Sequence, residues 1–238
     1  IRNLNRIAMG TAKMRWSQTG YGRTSSTSVA QETPRNLFGF KDGTNNIKSE
    51  DGDAKLNEHL WVQKGDDSGA DWMTGGTYFV VRKIHMFAEM WDNLRLIEQE
   101  QTFGRDKRYG APLNVAAPSS GKDEFKPIDF KAKNKEGELE VPADSHIAIV
   151  NPEQNKGRWM LRRGYNYTEG SDALGRLSAG LFFIAFVRDP RTNFYPILDK
   201  MTQKDALSEY LQHQARALFA IPAGIGQSDT MVGQALFS

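Results

Sequence analysis

The stretch "RLSAGLFFIAFVRD", residues 176–189, decides how this chain is read. It gathers aromatic and β-branched residues into one run between Gly175 and Pro190, and it is the strongest strand signal in the sequence. Neighbours on a strand point to opposite faces, so Leu181 and Phe183 project to the same side. Upstream, "WMLRRGYNY" (159–167) and "SHIAIVN" (145–151) predict shorter strands. Further back, "GGTYFVVRKIHMF" (75–87) is β-rich, with Lys83 and His85 on the face opposite Ile84 and Met86. It runs into "AEMWDNLRLIEQEQ" (88–101), where Met90, Leu94 and Ile97 recur at helical spacing. Downstream, "DALSEYLQHQARALFA" (205–220) predicts an amphipathic helix carrying Leu207, Tyr210 and Leu211, and "LFAIPAG" (218–224) can supply a last short strand.

The order strand, helix, strands, helix, strand suits an α+β unit of ferredoxin-like type, an antiparallel sheet with helices on one face. Residues 1–35 hold a short amphipathic piece and the Gly/Ser/Thr-rich connector "TGYGRTSSTSVAQETPR" (19–35). Residues 47–74 are polar and acidic and predict a solvated loop, as does the Lys/Glu-rich section 122–140. At 238 residues there is ample core for one large domain or two small ones. Net charge is +2, from 31 basic and 29 acidic side chains, so no general attraction to nucleic acid or anionic lipid is implied. The absence of cysteine excludes disulfides and thiolate chemistry. No apolar run approaches membrane-spanning length. The chain opens on Ile1 in what reads as the middle of a segment, without signal-peptide features, and the expectation is that an N-terminal part is missing.

Few residues invite chemistry. In "NLFGFKDGTNN" (36–46), Asp42 stands between glycines after an aromatic pair. Either this is a polar surface turn, since Asp-Gly is common turn chemistry, or it is a rigid loop that aims one acid at a ligand. Of the four histidines, His59, His85 and His213 suggest solvated or capping roles, and no pair has the spacing of a compact metal site. His146 differs, because it opens the apolar run "HIAIV". It is either a core-edge histidine bonded to a carbonyl or the sole protein ligand of a metal that arrives inside a porphyrin. In "LRRGYNY" (161–167), one of two consecutive arginines can face inward, where it needs an anionic partner.

Three pieces in the right order resemble the dye-decolorizing peroxidase family. "GFKDG" (39–43) fits its G-x-x-D-G motif, "DSHIAIVNP" (144–152) resembles the segment with the axial histidine, and "LRRGYNY" the one with the distal arginine. "GRDKRYGAPL" (104–113) and "GLFFIAF" (180–186) also look like family segments, and the similarity runs from about Trp16 to the C-terminus. It is nearest to the exported Efe-type deferrochelatase/peroxidase branch. The family belongs to the dimeric α/β barrel superfamily and is built from two ferredoxin-like halves. The resemblance therefore makes residues 1–45 the end of an N-terminal module with a linker, and residues 46–238 a C-terminal haem-binding domain. A missing N-terminal fragment or a partner chain would complete the molecule.

The resemblance implies haem b as cofactor, with His146 as the axial ligand of its iron and Asp205 bonded to the other imidazole nitrogen. It implies that hydrogen peroxide is reduced through a ferryl intermediate while dyes, phenols or ferrous iron are oxidised. Asp42 would carry the peroxide proton, Arg162 would stabilise developing negative charge, and Asn46 would hold the acid or a distal water. Gly39 and Gly43 would shape the loop, Arg105 and Lys107 would supply charges at the propionates or the pocket rim, and Leu181 and Phe183 would wall the distal cavity. Trp159, Tyr165 and Tyr167 either relay electrons from bulky reductants or pack as core. Also implied are export by the twin-arginine pathway, components of an iron-uptake system as partners, and a homo-oligomer, specifically a dimer. The alternative is a haem-binding deferrochelatase of an iron-uptake system that releases iron from haem.

Overall fold

In the computed structural model, residues 1–22, 27, 28 and 30–237 are described. The connector expected over residues 19–35 therefore lies partly outside the described residues, at 23–26 and at 29. The strand β4 (Leu177–Val187) is hydrogen-bonded along both edges, in agreement with its apolar sequence. On one side lies β1 (Thr77–Met86), followed by the edge strand β5 (Leu211–Ile221). On the other side lie β2 (Leu161–Arg162) and β3 (Tyr165–Ser171). All pairings are antiparallel.

The register decides which residues share a face. Arg82 and Ile84 of β1 sit opposite Phe183 and Leu181 of β4, while Arg162 of β2 sits opposite Ala185. These residues lie on one face, so the shared side expected for Leu181 and Phe183 is observed. The next arginine, Arg163, turns away, and its Nη1 lies 3.4 Å from Thr27 Oγ1. A bulge opposite the Lys83–Ile84 step leaves Gln214 unpaired and aligns His213 with Ile84.

The helices are α1 (Arg2–Ile7), which buries no residue, α2 (Gly52–His59), α3 (Ala88–Asp92), α4 (Leu96–Phe103), α5 (His146–Val150), α6 (Pro190–Asn193) and α7 (Tyr195–Lys204). One core cluster joins Phe38 and Phe40 to Trp91, Phe103, Met86 and Leu207. Phe38 stacks on Trp91 at 4.4 Å and Phe40 on Phe103 at 4.0 Å. Burying each Phe contributes about 2 kcal/mol, which anchors the loop that carries Asp42. A second cluster sets Phe194 against Val80, Ala185 and Val187.

Several sequence expectations are overturned. "HIAIV" is the helix α5, not a strand. Ile147, Ala148 and Ile149 are all buried, and a short apolar run enclosed on every side carries no period that separates helix from strand. The helix expected over 205–220 is one 3-10 turn (Ala206–Tyr210) followed by β5. Leu207, Tyr210 and Leu211 imitate helical spacing, but from Leu211 onward the chain satisfies the open hydrogen-bonding edge of β1. His213 is therefore a strand residue. The loop expected over 47–74 contains α2, and His59 at its end is buried. The helix expected over 88–101 breaks into α3 and α4, which resets the phase. Trp91, Gln99 and Phe103 are buried, whereas Met90 and Ile97 are exposed.

Candidate active site

The sheet face bearing Ile84, Leu181 and Phe183 forms one wall of a cavity of about 380 Å³. Helix α5 adds His146 and Ile147, and α7 adds Ile197 and Met201. The loop 36–46 brings Asp42 and Gly43 to its lining. A mostly apolar concavity with a few converging polar groups is the usual form of a cofactor site.

The Asp42 loop is held from several directions. Asn36 Oδ1 accepts from the backbone N–H groups of Phe38 and Phe40, at 3.1 and 3.2 Å, and closes the turn on itself. Arg35 Nη1 donates to Gly39 O and Lys107 O, at 2.6 and 2.7 Å. Gly39 and Gly43 adopt positive φ, +83° and +113°, so both shape the turn as expected. Only Gly43 reaches the cavity. Beyond Asp42, Thr44 Oγ1 donates to Glu124 Oε2 at 2.6 Å, and Lys41 Nζ bonds the other oxygen of Glu124 at 2.7 Å. The loop is thus a braced platform, not a free surface turn.

Asp42 Oδ1 accepts from Arg162 Nη1 at 2.7 Å. Both side chains are 24% exposed, so the pair adds at most about 1 kcal/mol, and its consequence is placement. Asn46 does not hold the acid. It is 3% exposed, its Oδ1 accepts from Arg162 N at 2.8 Å, and its Nδ2 donates to Arg162 O at 3.0 Å. That pair of hydrogen bonds to one residue's backbone fixes where the arginine leaves β2.

On another wall, His146 Nδ1 bonds Asp205 Oδ2 at 2.7 Å, and Phe103 meets the imidazole edge-on at 6.0 Å. Asp205 is buried and its Oδ1 accepts from Leu207 N at 3.0 Å, so it caps the following turn while it holds the histidine. Nε2 of His146 has no protein partner among the described residues. No cluster of three or more His, Cys, Asp or Glu that could hold a bare ion exists among the described residues. One imidazole can be a complete protein ligand set only where the metal brings its own equatorial donors.

Of the two charges expected at the propionates or the pocket rim, one reaches the cavity. Arg105 lines the cavity, but its Nη1 is engaged by Gly110 O and Glu124 O, at 2.6 and 2.9 Å. Burial pushes its pKa down to about 10, with Glu124 opposing and Arg162 adding to the shift. It is a strut between loops. Lys107 lies away from the lining, with Nζ on Gln99 Oε1 at 2.6 Å and over the Phe40 ring. Trp159 does line the cavity, and the Lys55 ammonium lies 3.5 Å from its ring centroid. Tyr165 and Tyr167 sit opposite Phe182 and Gly180, on the sheet face away from the cavity. Tyr167 is fully buried, which pushes its pKa up to about 12.

Sequence reasoning missed Arg82, a buried guanidinium in the cavity wall, although its alternation with Ile84 and Met86 was a usable signal. It also missed Asn151 and Pro152 just past α5, and the lining from α7, although the helical spacing of Ile197, Leu198 and Met201 was a usable signal.

A sequence model of the family described as Dyp-type peroxidase, C-terminal, matches residues 33–226. The dye-decolorizing peroxidase of Thermobifida fusca (strain YX) is 36% identical over 225 residues, covering 94% of this chain and 50% of the relative. A deferrochelatase of Yersinia pseudotuberculosis serotype I is 34% identical, covering 99% of this chain and 52% of the relative. Among solved structures, an oxyferrous complex of DtpA from Streptomyces lividans superposes with a TM-score of 0.87 at 37% identity. That match covers 100% of this chain and 62% of the other. The chain spans about half the length of the curated relatives it matches.

Proposed function

The chain belongs to the Dyp-type peroxidase family, as its C-terminal part, and on that premise we propose that it is the haem-holding portion of a peroxidase. The substrates are hydrogen peroxide and a broad set of small reductants: dyes, phenols and ferrous iron. The observation that carries the reading is the pairing of Asp42 with Arg162 on one wall of a cavity whose other wall presents His146 backed by Asp205.

The residues fit haem b. His146 offers Nε2 to the iron, and the apolar lining from Ile84, Leu181 and Ile147 suits a flat hydrophobic macrocycle. Bound haem would supply the iron at which peroxide is reduced and from which the reductants are oxidised. Asp205 accepts from His146 Nδ1, which orients the ring and strengthens Nε2 as a donor. The Asp42 oxygen not engaged by Arg162 accepts the peroxide proton and returns it to the departing oxygen. The Arg162 guanidinium offsets the negative charge that builds there, and Asn46 positions Arg162 through its backbone. Each peroxide takes up two electrons and two protons and leaves as two waters.

A spectral titration of the haem-free intact protein with hemin tests the reading. A Soret band should appear, be lost in His146→Ala, and accompany peroxide-dependent dye oxidation. A protein with no such band would rule the proposal out. The similarity to a deferrochelatase supports a second reading, in which the same cavity releases iron from haem. The Asp42–Arg162 pair favours the first, because a carrier needs no proton-transfer acid. Export by the twin-arginine route, an iron-uptake setting and homodimerisation extend the proposal on the strength of the Efe-type resemblance. Cell fractionation and sedimentation of the intact protein test those extensions.

A further inference from the structure

Arg82 is 6% exposed, lies on the cavity face of β1 and lines the cavity. Its Nη2 lies 2.7 and 2.8 Å from the two ring nitrogens of His213, of which only the unprotonated one accepts. Its guanidinium carbon sits 5.9 Å from the ring centroids of both Phe183 and Phe194. Its remaining N–H groups have no protein partner among the described residues, and no carboxylate there pairs with it. The charge that acts on it is a like one, Arg216, directly opposite in the β5 register.

A buried cation beside another cation and without an anion costs folding free energy unless a ligand supplies the opposite charge. The other cations considered for the site have protein partners. Arg105 is bound by two carbonyl oxygens, Lys107 by Gln99, and Arg162 by Asp42. Arg105 also has Glu124 beside it and Arg162 has Asp42, whereas Arg82 lines the cavity with no acid near it among the described residues and with two of its three guanidinium nitrogens left for a ligand. Its planar fork suits a carboxylate taken in two parallel bonds.

We propose that Arg82, steadied by His213 and flanked by Phe183 and Phe194, is the carboxylate-binding group of the cavity and takes a propionate of the porphyrin. This rests on the haem reading above. His213 acts as a positioning residue, since it holds one guanidinium nitrogen and leaves the others for the ligand.

The test is an absorbance titration of the haem-free intact protein with hemin and, in parallel, with hemin dimethyl ester, whose propionates carry no charge. The wild-type protein should bind hemin at least about 10-fold more tightly than the ester, the scale of one charge-assisted pair. Arg82→Leu should weaken hemin binding by about 10- to 100-fold and close the gap between the two porphyrins, while Arg82→Lys should keep part of it. The stability of haem-free Arg82→Leu, read from its urea midpoint, should stay level or rise, because an unpaired buried cation has been removed. Equal wild-type affinity for the two porphyrins, or a gap that survives in Arg82→Leu, would overturn the proposal while leaving the haem reading intact. Binding of neither porphyrin would overturn both. The wild-type comparison decides even if the leucine variant fails to fold.

Discussion

Asp205→Asn is the most informative single change. Each carboxylate oxygen accepts one hydrogen bond: Oδ2 from His146 Nδ1 at 2.7 Å, and Oδ1 from Leu207 N at 3.0 Å. An amide has one acceptor and one donor, so whichever way it is turned, its NH₂ faces an N–H group. The side chain is 1% exposed, which leaves no room for water to relieve the conflict. Losing one charge-assisted bond and stranding a buried donor costs about 1.5–3 kcal/mol. For a chain of this size that lowers Tm by about 3–12 °C. If the amide oxygen keeps the Leu207 cap, the lost partner is the one behind His146, and hemin affinity should fall by about 10- to 100-fold. Thermal unfolding of the haem-free protein and hemin titration of the same sample measure the two effects. Asp205→Asn with wild-type Tm and wild-type hemin affinity would refute the claim that this carboxylate holds the histidine.

Asp42→Asn preserves an acceptor for Arg162 but cannot take a proton. Hemin binding should therefore be unchanged while stopped-flow reaction with peroxide slows by about 100-fold or more, and an unaltered rate would remove Asp42 from the chemistry. Burial and the neighbouring Arg82 push the His213 pKa down from 6.5 to about 4. Between those values the unfolded chain takes up a proton that the folded chain refuses, so stability falls as pH drops from about 6.5 towards 4 and is unaffected above that window. The exposed position of His213 tempers the effect, and urea midpoints across this range should slope less in His213→Gln; identical slopes would exclude the residue. At Gly180 an added Cβ would lie 1.9 Å from the carbonyl oxygen of Ile84. Gly180→Ala must therefore push β1 and β4 apart at a cost of about 3 kcal/mol, and an unshifted urea midpoint would contradict that packing.

The sequence by itself determined the central strand, the shared side of Leu181 and Phe183, and the alternation of β1, because aromatic and β-branched runs between turn residues mark strands and a strand's side chains alternate whatever they pack against. It also marked Asp42, His146 and Arg162, through motif segments far apart in the chain whose order is characteristic. It could not show that "HIAIV" is helical or that residues 211–221 form a strand, since in both places the backbone conformation is chosen by partners distant in sequence. The same physics hid Arg82. Alternation pointed it inward, but only the assembled walls reveal that Arg105 and Arg162 have acids beside them while Arg82 has a histidine and another arginine, because a charge's partners are a property of three-dimensional neighbours and not of spacing.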